Sequence, residues 1–82
     1  MKTSIEISLY PITDNYVAPI KEFIAALESY SDLLIQTYPA STVIMGEHGY
    51  VMDVLKVEMK RQQEKNGMCV FVTKLLPGYE LL

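Results

Sequence analysis

Residues 3 to 10 alternate between apolar and polar side chains. The apolar side chains are Ile5, Ile7 and Leu9, and the polar ones are Ser4, Glu6, Ser8 and Tyr10. This period of two predicts a strand with one face on a core, ended by Pro11. Apolar residues then recur every three or four positions from Asp14, a good N-cap, to about residue 31. That spacing predicts an amphipathic helix.

The remaining chain predicts a hairpin, a second helix and a last strand. Two short strand-like runs, residues 33–38 and 41–47, flank Pro39-Ala40 and should pair antiparallel. A weaker apolar stripe over residues 50–65 predicts a helix, and the dense apolar run 68–76 predicts a fourth strand.

The predicted order is therefore β-α-β-β-α-β, and 82 residues suffice for one small domain over residues 1–82. Two right-handed β-α-β crossovers joined by a hairpin give an α+β, ferredoxin-like sandwich. We expect a four-stranded antiparallel sheet of order 4-1-3-2 with both helices on one face. The first and third strands are then central neighbours.

This arrangement leaves the other sheet face uncovered. The polar side of the first strand and a largely apolar side of the fourth strand would lie there. An uncovered, half-apolar sheet on so small a domain predicts burial against another copy. We therefore expect a homodimer or homotetramer that forms through the open sheet face.

Composition excludes several classes of partner. The net charge of −3 disfavours nucleic acid, which requires a concentrated basic surface. No apolar run approaches the roughly 20 residues of a membrane span, and Met1-Lys2-Thr3 leads into a strand rather than a signal sequence. A cytoplasmic protein is the expectation.

The chain also lacks the residues of a catalytic centre. It has one histidine, His48, and one cysteine, Cys69, which leaves no nucleophile–base pair, metal cluster or cofactor motif in the pattern. We expect a protein that is not an enzyme and holds no metal or cofactor. Small-molecule binding and pure assembly remain.

Polar side chains on the two central strands are candidates for binding a small molecule. They are Glu6, Ser8 and Tyr10 on the first strand and Thr42, with Ser41 or Glu47, on the third. Carboxylates, hydroxyls and phenols suit a planar, nitrogen-rich, cationic or amine-bearing ligand, with Met45 packed on its ring.

Two points stay open at this stage. The phase of the third strand is ambiguous, since Thr42 and Ile44 point one way and Val43 and Met45 the other, so either sheet face could carry the site. The same residues could instead serve an interface between copies, which would make the chain an oligomeric assembly or regulatory module with no small-molecule ligand.

Two segments, Ser8-Leu9-Tyr10-Pro11-Ile12-Thr13-Asp14 and Ser41-Thr42-Val43-Ile44-Met45-Gly46, resemble the repeat unit of the YkoF family. These proteins bind thiamine and its hydroxymethylpyrimidine part. Pro39, ahead of the second segment, matches the shorter relatives of the family. The resemblance covers nearly the whole chain as a single repeat, whereas YkoF itself carries two.

The resemblance implies a ferredoxin-like fold and non-enzymatic ligand binding in thiamine uptake or salvage, with a thiamine or precursor transport system as a partner. A homodimer would supply the second repeat. Ser8 and Thr42 would hydrogen-bond the aminopyrimidine, and Tyr10 or Tyr38 would stack on a ring. Glu6 or Glu47 would meet the thiazolium charge or the exocyclic amine.

Overall fold

Strands and helices follow one another in the predicted order in the computed structural model, which describes residues 1–82. The elements are β1 (Lys2–Pro11), α1 (Val17–Glu28), β2 (Leu34–Thr37), β3 (Thr42–Glu47), α2 (His48–Asn66) and β4 (Cys69–Pro77). The sheet order is β2-β3-β1-β4, with every neighbouring pair antiparallel. The predicted ferredoxin-like topology and the order 4-1-3-2 are confirmed. Neither helix is long and apolar enough to cross a bilayer.

The register of the central strands settles which side chains face the helices. Ile5 lies opposite Ile44, and Ile7 lies opposite Thr42. Because directly opposed residues point to the same side of a sheet, Thr42 and Ile44 face the helices. Val43 and Met45 face the other way, so the phase that the sequence left open is resolved.

The core lies between the helices and one face of the sheet. Its nine buried members are Ile5, Ile7, Phe23, Leu27, Leu33, Ile44, Val51, Val54 and Leu55. Phe71 of β4 packs against them, and its ring meets Phe23 edge-on with 5.4 Å between centroids. The apolar side of β1 and the apolar stripe of α1 therefore meet as their patterns predict.

Both helices begin away from their predicted positions. The Ile12 N–H donates to the Met68 carbonyl at 3.0 Å, which continues strand pairing past Pro11. The connection then runs to Tyr16, and Asp14 does not cap α1. Conversely, α2 starts at His48 because the Glu47 carboxylate accepts the Tyr50 N–H at 3.1 Å. Glutamate is not a usual N-cap residue, so the sequence pattern did not indicate this start.

The sheet face turned away from the helices, called the open face below, is not wholly bare. Gly78, with φ of 77°, turns the chain after β4. The Ser4 hydroxyl donates to the Tyr79 carbonyl at 2.6 Å and accepts the Leu81 N–H at 2.9 Å. This tail, residues 79–82, lies over one end of the open face, where Ser4 and Met45 are buried. The expectation of an uncovered face is wrong at this end.

Candidate functional site

The most enclosed cavity lies where the end of β1, α1 and the β2–β3 connection meet. We call it the hairpin cavity. Its lining residues are Ile7, Ser8, Leu9, Ile20, Phe23, Ile24, Thr37, Tyr38, Pro39, Ala40, Ser41 and Thr42. Its volume of about 260 Å³ lies just under the roughly 300–1,000 Å³ of pockets for drug-sized ligands. A single substituted ring suits this space.

Four of the eight candidate residues line this cavity: Ser8, Tyr38, Ser41 and Thr42. Thr42 enters it because β3 turns that side chain toward the helices. Ser8 lies one residue beyond the last β1–β3 pair, Ile7 with Thr42. Its side chain points to the open face, as does that of its β4 partner Val72, and contacts the β2–β3 connection there. The two segments singled out by the sequence come together here.

The Thr42 hydroxyl is a free polar group of the hairpin cavity, as are the hydroxyls of Thr37 and Tyr38. Thr42 is 5% exposed, and its hydroxyl makes no hydrogen bond to another protein group. The oxygen itself is not fully enclosed, because the only fully buried side-chain nitrogen or oxygen without a partner is Gln62 Nε2. Since Thr42 lines the cavity, its hydroxyl can donate to or accept from a group placed there.

The two serine hydroxyls of the cavity already hold the site in shape. The Ser8 hydroxyl donates to the Ala40 carbonyl at 3.0 Å, which fastens the β2–β3 connection to β1. The Ser41 hydroxyl donates to Glu6 Oε2 at 3.2 Å. Each serine oxygen retains acceptor capacity after it has donated its proton. Ser8 can therefore accept from an amine without losing its structural bond.

A second cavity, of about 290 Å³, adjoins the first. We call it the tyrosine cavity. It is lined by Leu9, Tyr10, Pro11, Tyr16, Ile20, Pro39 and Ala40. Leu9, Ile20, Pro39 and Ala40 line both cavities. Tyr10, a fifth candidate residue, thus lies next to the hairpin cavity rather than in it.

Three candidates lie elsewhere. Glu6 is on the open face, 3.6 Å from Lys74 Nζ, and Met45 is buried on that face beside Ser4. Glu47 is at the opposite end of β3, beside a cavity of about 600 Å³ that Lys2 and Tyr50 also line. Backbone N–H groups of Tyr50 and Gly49 lower the pKa of the Glu47 carboxyl. That carboxylate serves as the N-cap of α2.

The sequence pattern did not single out the α1 wall of the hairpin cavity. Ile20, Phe23 and Ile24 belong to the apolar stripe that predicted a helix packed on the core. A stripe of this kind shows which side of a helix is covered, but not whether a neighbour leaves a gap. Tyr16 was missed because the helix was expected to begin before it.

The fold and the cavities define a class: a ferredoxin-like α+β domain with a small, largely apolar cavity between its first helix and the edge of its sheet. Within that class the chain belongs to the YKOF-related family, whose pattern it matches over residues 2–75. The family membership expected from the two segments is confirmed. None of the curated proteins matches this chain.

Solved structures from distant organisms share the fold. A Streptococcus pneumoniae protein is 25% identical, with a TM-score of 0.87, and the match covers 99% of this chain and 91% of that one. A Thermotoga maritima protein provisionally described as one of thiamine biosynthesis or salvage is 18% identical, with a TM-score of 0.85 and coverages of 98% and 85%. A Methanocaldococcus jannascii protein is 20% identical, with a TM-score of 0.80 and coverages of 96% and 82%.

Proposed function

We propose that this chain is a non-enzymatic binding protein for thiamine or its hydroxymethylpyrimidine part, acting in thiamine uptake or salvage. One observation carries the proposal: Ser8 and Thr42, from two neighbouring strands, line a single ring-sized apolar cavity. Membership of the YKOF-related family and the description of the Thermotoga maritima protein support the choice of ligand.

The chemistry of the hairpin cavity suits an aminopyrimidine. Such a ring presents alternating acceptors and an amine donor along one edge and apolar faces on either side. The Thr42 hydroxyl can donate to a ring nitrogen, and the Ser8 oxygen can accept from the amine. Ile7, Phe23 and Ile24 supply apolar contact for the faces of the ring. Tyr38 is 48% exposed, so its ring can stack on the ligand at the rim of the cavity.

The same lining favours binding without reaction. None of the 12 lining residues carries a carboxylate, imidazole, amine or thiol. A serine or threonine nucleophile needs a general base beside it, and the one carboxylate that contacts the lining, Glu6, lies on the open face in an ion pair with Lys74. A ligand held here is therefore recognised and released unchanged, for instance to a thiamine or precursor transport system.

Assembly is a second role, favoured by the open face. Beyond the tail, Leu34, Val70 and Val72 lie on this face with exposures of 56%, 45% and 54%. Apolar side chains gathered on one sheet face favour burial against a partner. We propose that this surface joins two copies of the chain, as a homodimer or within a homotetramer. Sedimentation equilibrium should give at least a dimer, and Val72→Glu should shift it toward monomer.

The binding proposal is tested by calorimetric titration with thiamine and, separately, with hydroxymethylpyrimidine. We expect micromolar or tighter binding of at least one of them. Thr42→Val keeps the shape of the side chain and removes the hydroxyl, so affinity should fall about two- to tenfold, the worth of a neutral hydrogen bond. No heat with either ligand, from folded protein freed of bound ligand, overturns the proposal.

A matched control separates the site from general effects. Ser29 and Ser8 are both exposed enough to tolerate change, and each donates to a backbone carbonyl, Ser29 to Ala26 at 2.6 Å. Ser8→Ala should weaken binding, whereas Ser29→Ala, at the end of α1, should not. If Ser8→Ala, Thr42→Val and the wild type bound the ligand with equal affinity, the ligand would not bind in this cavity.

A further inference from the structure

A third cavity lies at the opposite end of β3 from the hairpin cavity, where Glu47 leads into α2. Its volume is about 600 Å³, and it shares no lining residue with the hairpin cavity or the tyrosine cavity. We call it the charged cavity, because Lys2, Asp32 and Glu47 line it. Ligand binding at the other end of the sheet makes no use of these three charges.

The three charges of this cavity do not neutralise one another. None of the four ion pairs of the chain includes any of them. Lys2 lies opposite Glu47 in the register of β1 and β3, yet the Glu47 carboxylate turns toward α2, where it accepts the Tyr50 N–H at 3.1 Å. One ammonium and two carboxylates therefore stay available to a ligand.

The Glu47 carboxylate is held in place and ionised. Backbone N–H groups of Tyr50 and Gly49 lower its pKa, so it keeps its negative charge at neutral pH. A carboxylate offers about four acceptor positions, which leaves capacity after it has accepted these two N–H groups. Because it already covers the start of α2, a ligand anion is not drawn to that helix end, and the carboxylate can accept from a ligand cation.

The apolar wall of the charged cavity is anchored to the core. Leu33 is 8% exposed and belongs to the core, and the ring of Tyr50 meets Tyr30 edge-on. Both pack around Gly46 of β3, where a methyl group would lie 3.7 Å from Leu33 Cδ1 and 3.7 Å from Tyr50 Cδ2. It would lie 3.4 Å from the Asp32 carbonyl oxygen. The loop that carries Asp32 is thus held against β3.

We propose that the charged cavity is a second binding site, which takes a small zwitterion of the α-amino-acid class with an apolar side chain. Asp32 and Glu47 bind the ligand ammonium, and Lys2 binds the ligand carboxylate. The hydroxyls of Ser31 and Tyr50 line the cavity and make no hydrogen bond within the protein, so they can bond the same two groups. The side chain of the ligand lies on the apolar wall.

Other types of charge fit the cavity less well. A simple anion meets two carboxylates for one ammonium, and a diamine meets the ammonium of Lys2. Either ligand places like charges together, which is unfavourable. A metal ion is not indicated, because the chain has no group of three His, Cys, Asp or Glu side chains that could hold one. A zwitterion answers both signs of charge.

The test is a titration of isotope-labelled protein with L-phenylalanine and, separately, with L-leucine, followed by NMR through the backbone amide resonances. The amides of residues 31–34 and Tyr50 should shift, with a Kd of about 1 mM or tighter. N-acetyl-L-phenylalanine has no ammonium, and L-phenylalaninamide has no carboxylate. Each should bind about two- to fivefold more weakly than L-phenylalanine, since the charges of this cavity are on exposed residues.

Variants assign each charge to its partner. Lys2→Met should weaken the binding of L-phenylalanine and leave that of L-phenylalaninamide unchanged, because the amide has no carboxylate to lose. Asp32→Asn should weaken L-phenylalanine and leave the N-acetyl compound unchanged. Lys60→Met and Asp14→Asn are matched controls, since both residues are exposed and form no ion pair. Both controls should bind as the wild type does.

The outcomes keep this site apart from the proposed function. No shift at residues 31–34 or Tyr50 with either amino acid at about 10 mM overturns the proposal. Shifts confined to Ser8 and Thr42 also overturn it, as do equal affinities for L-phenylalanine and its two blocked forms. Titration of the same protein with thiamine and hydroxymethylpyrimidine tests the hairpin cavity, so failure at either site leaves the other standing.

Discussion

Replacing Tyr30 with phenylalanine should destabilise the chain through a buried carboxylate on α2. Glu58 is 2% exposed and accepts the Tyr30 hydroxyl at 2.5 Å. Its other partner is Arg61, at 3.1 Å through the same Oε2 atom. Arg61 is 62% exposed, so its attraction is weakened by solvent. Tyr30 is therefore the partner that best offsets the burial of Glu58.

The magnitude follows from what the substitution removes. Phenylalanine keeps the edge-on contact with Tyr50, whose ring centroid is 6.3 Å away, and deletes only the hydroxyl. A hydrogen bond to a charged group contributes about 1.5–3 kcal/mol. A loss of about 2 kcal/mol corresponds to roughly thirtyfold in the folding equilibrium constant and is large for a domain of this size.

Urea unfolding measures the effect. With an m-value of about 1–2 kcal/mol/M, the midpoint for Tyr30→Phe should fall by about 1–2 M. Tyr79→Phe is the matched control, because Tyr79 is 58% exposed and its hydroxyl makes no hydrogen bond within the protein. That variant should change stability by less than about 0.5 kcal/mol.

The pH dependence gives a second measurement. The hydrogen bond to Glu58, and then burial, raise the pKa of Tyr30 above its usual value of 10.0. The neutral phenol is thus the form that the folded chain favours. Its stabilisation is complete below pH 10 and is lost as pH rises through the raised pKa. The gap between wild type and Tyr30→Phe should close at high pH.

One result would refute this reasoning. If Tyr30→Phe is no less stable than Tyr79→Phe, Glu58 must have another donor. Gln62, one turn further along α2, is 5% exposed and has a buried Nε2 with no partner. Rotation of that amide toward Glu58 would explain the result, and the double variant Tyr30→Phe/Gln62→Leu would then show the missing loss.

Three shorter predictions concern the ends of α2 and the cysteine. Gly67→Ala should lower the free energy of unfolding by about 1–3 kcal/mol, because Gly67 has φ of 80° and ψ of −151°. Gly49→Ala, inside α2, is the control and should leave stability unchanged or raise it in the same urea assay. In thermal melts, Glu47→Gln should melt below the wild type at neutral pH. The two should converge as pH falls through the lowered pKa of the Glu47 carboxyl. Burial raises the pKa of Cys69, so mass spectrometry should show its alkylation at pH 8 to be slower than after unfolding in urea.

The fold was predictable because its signals are local and strong. β1 alternates with a strict period of two, and its apolar side chains Ile5 and Ile7 are in the core as expected. The predicted hairpin at Pro39-Ala40 and the two predicted helices give the element order β-α-β-β-α-β. The right-handedness of β-α-β crossovers then determines the order of the strands in the sheet. Element ends were less predictable, because a tertiary hydrogen bond to Met68 and an unusual cap at Glu47 decided them.

The site was only half predictable for a similar reason. The pairing of the central strands was predictable, and it brings Ser8 and Thr42 to the lining of one cavity. The sequence of β3 does not show which side chains face the helices, because apolar side chains are buried on both faces of the strand. Ile44 is in the core, and Val43 and Met45 lie on the open face. A tail that folds back over a sheet leaves no periodic signal in the strand beneath it. The sequence therefore did not show that Met45 is buried on the open face beside Ser4.

The structure also changes how the two candidate roles relate. From the sequence, ligand binding and assembly competed for the same residues. In the fold, the hairpin cavity opens between α1 and the sheet edge, while exposed Val70 and Val72 lie on the open face. The two surfaces meet at Ser8 and Ser41, but the α1 side of the cavity lies away from the open face, so one chain can bind a ligand and join a second copy. Val72→Glu should weaken assembly without removing the lining of the cavity.

Ser41 is the place where these two surfaces touch. It lines the hairpin cavity, and its hydroxyl donates to Glu6 on the open face at 3.2 Å. A partner packed over Glu6 and Lys74 would alter this bond and, through it, the acceptor that Ser41 presents to the cavity. Any dependence of ligand affinity on protein concentration should therefore disappear in Ser41→Ala, although that variant still assembles. If ligand affinity still depended on protein concentration in Ser41→Ala, assembly would affect ligand binding through residues other than Ser41.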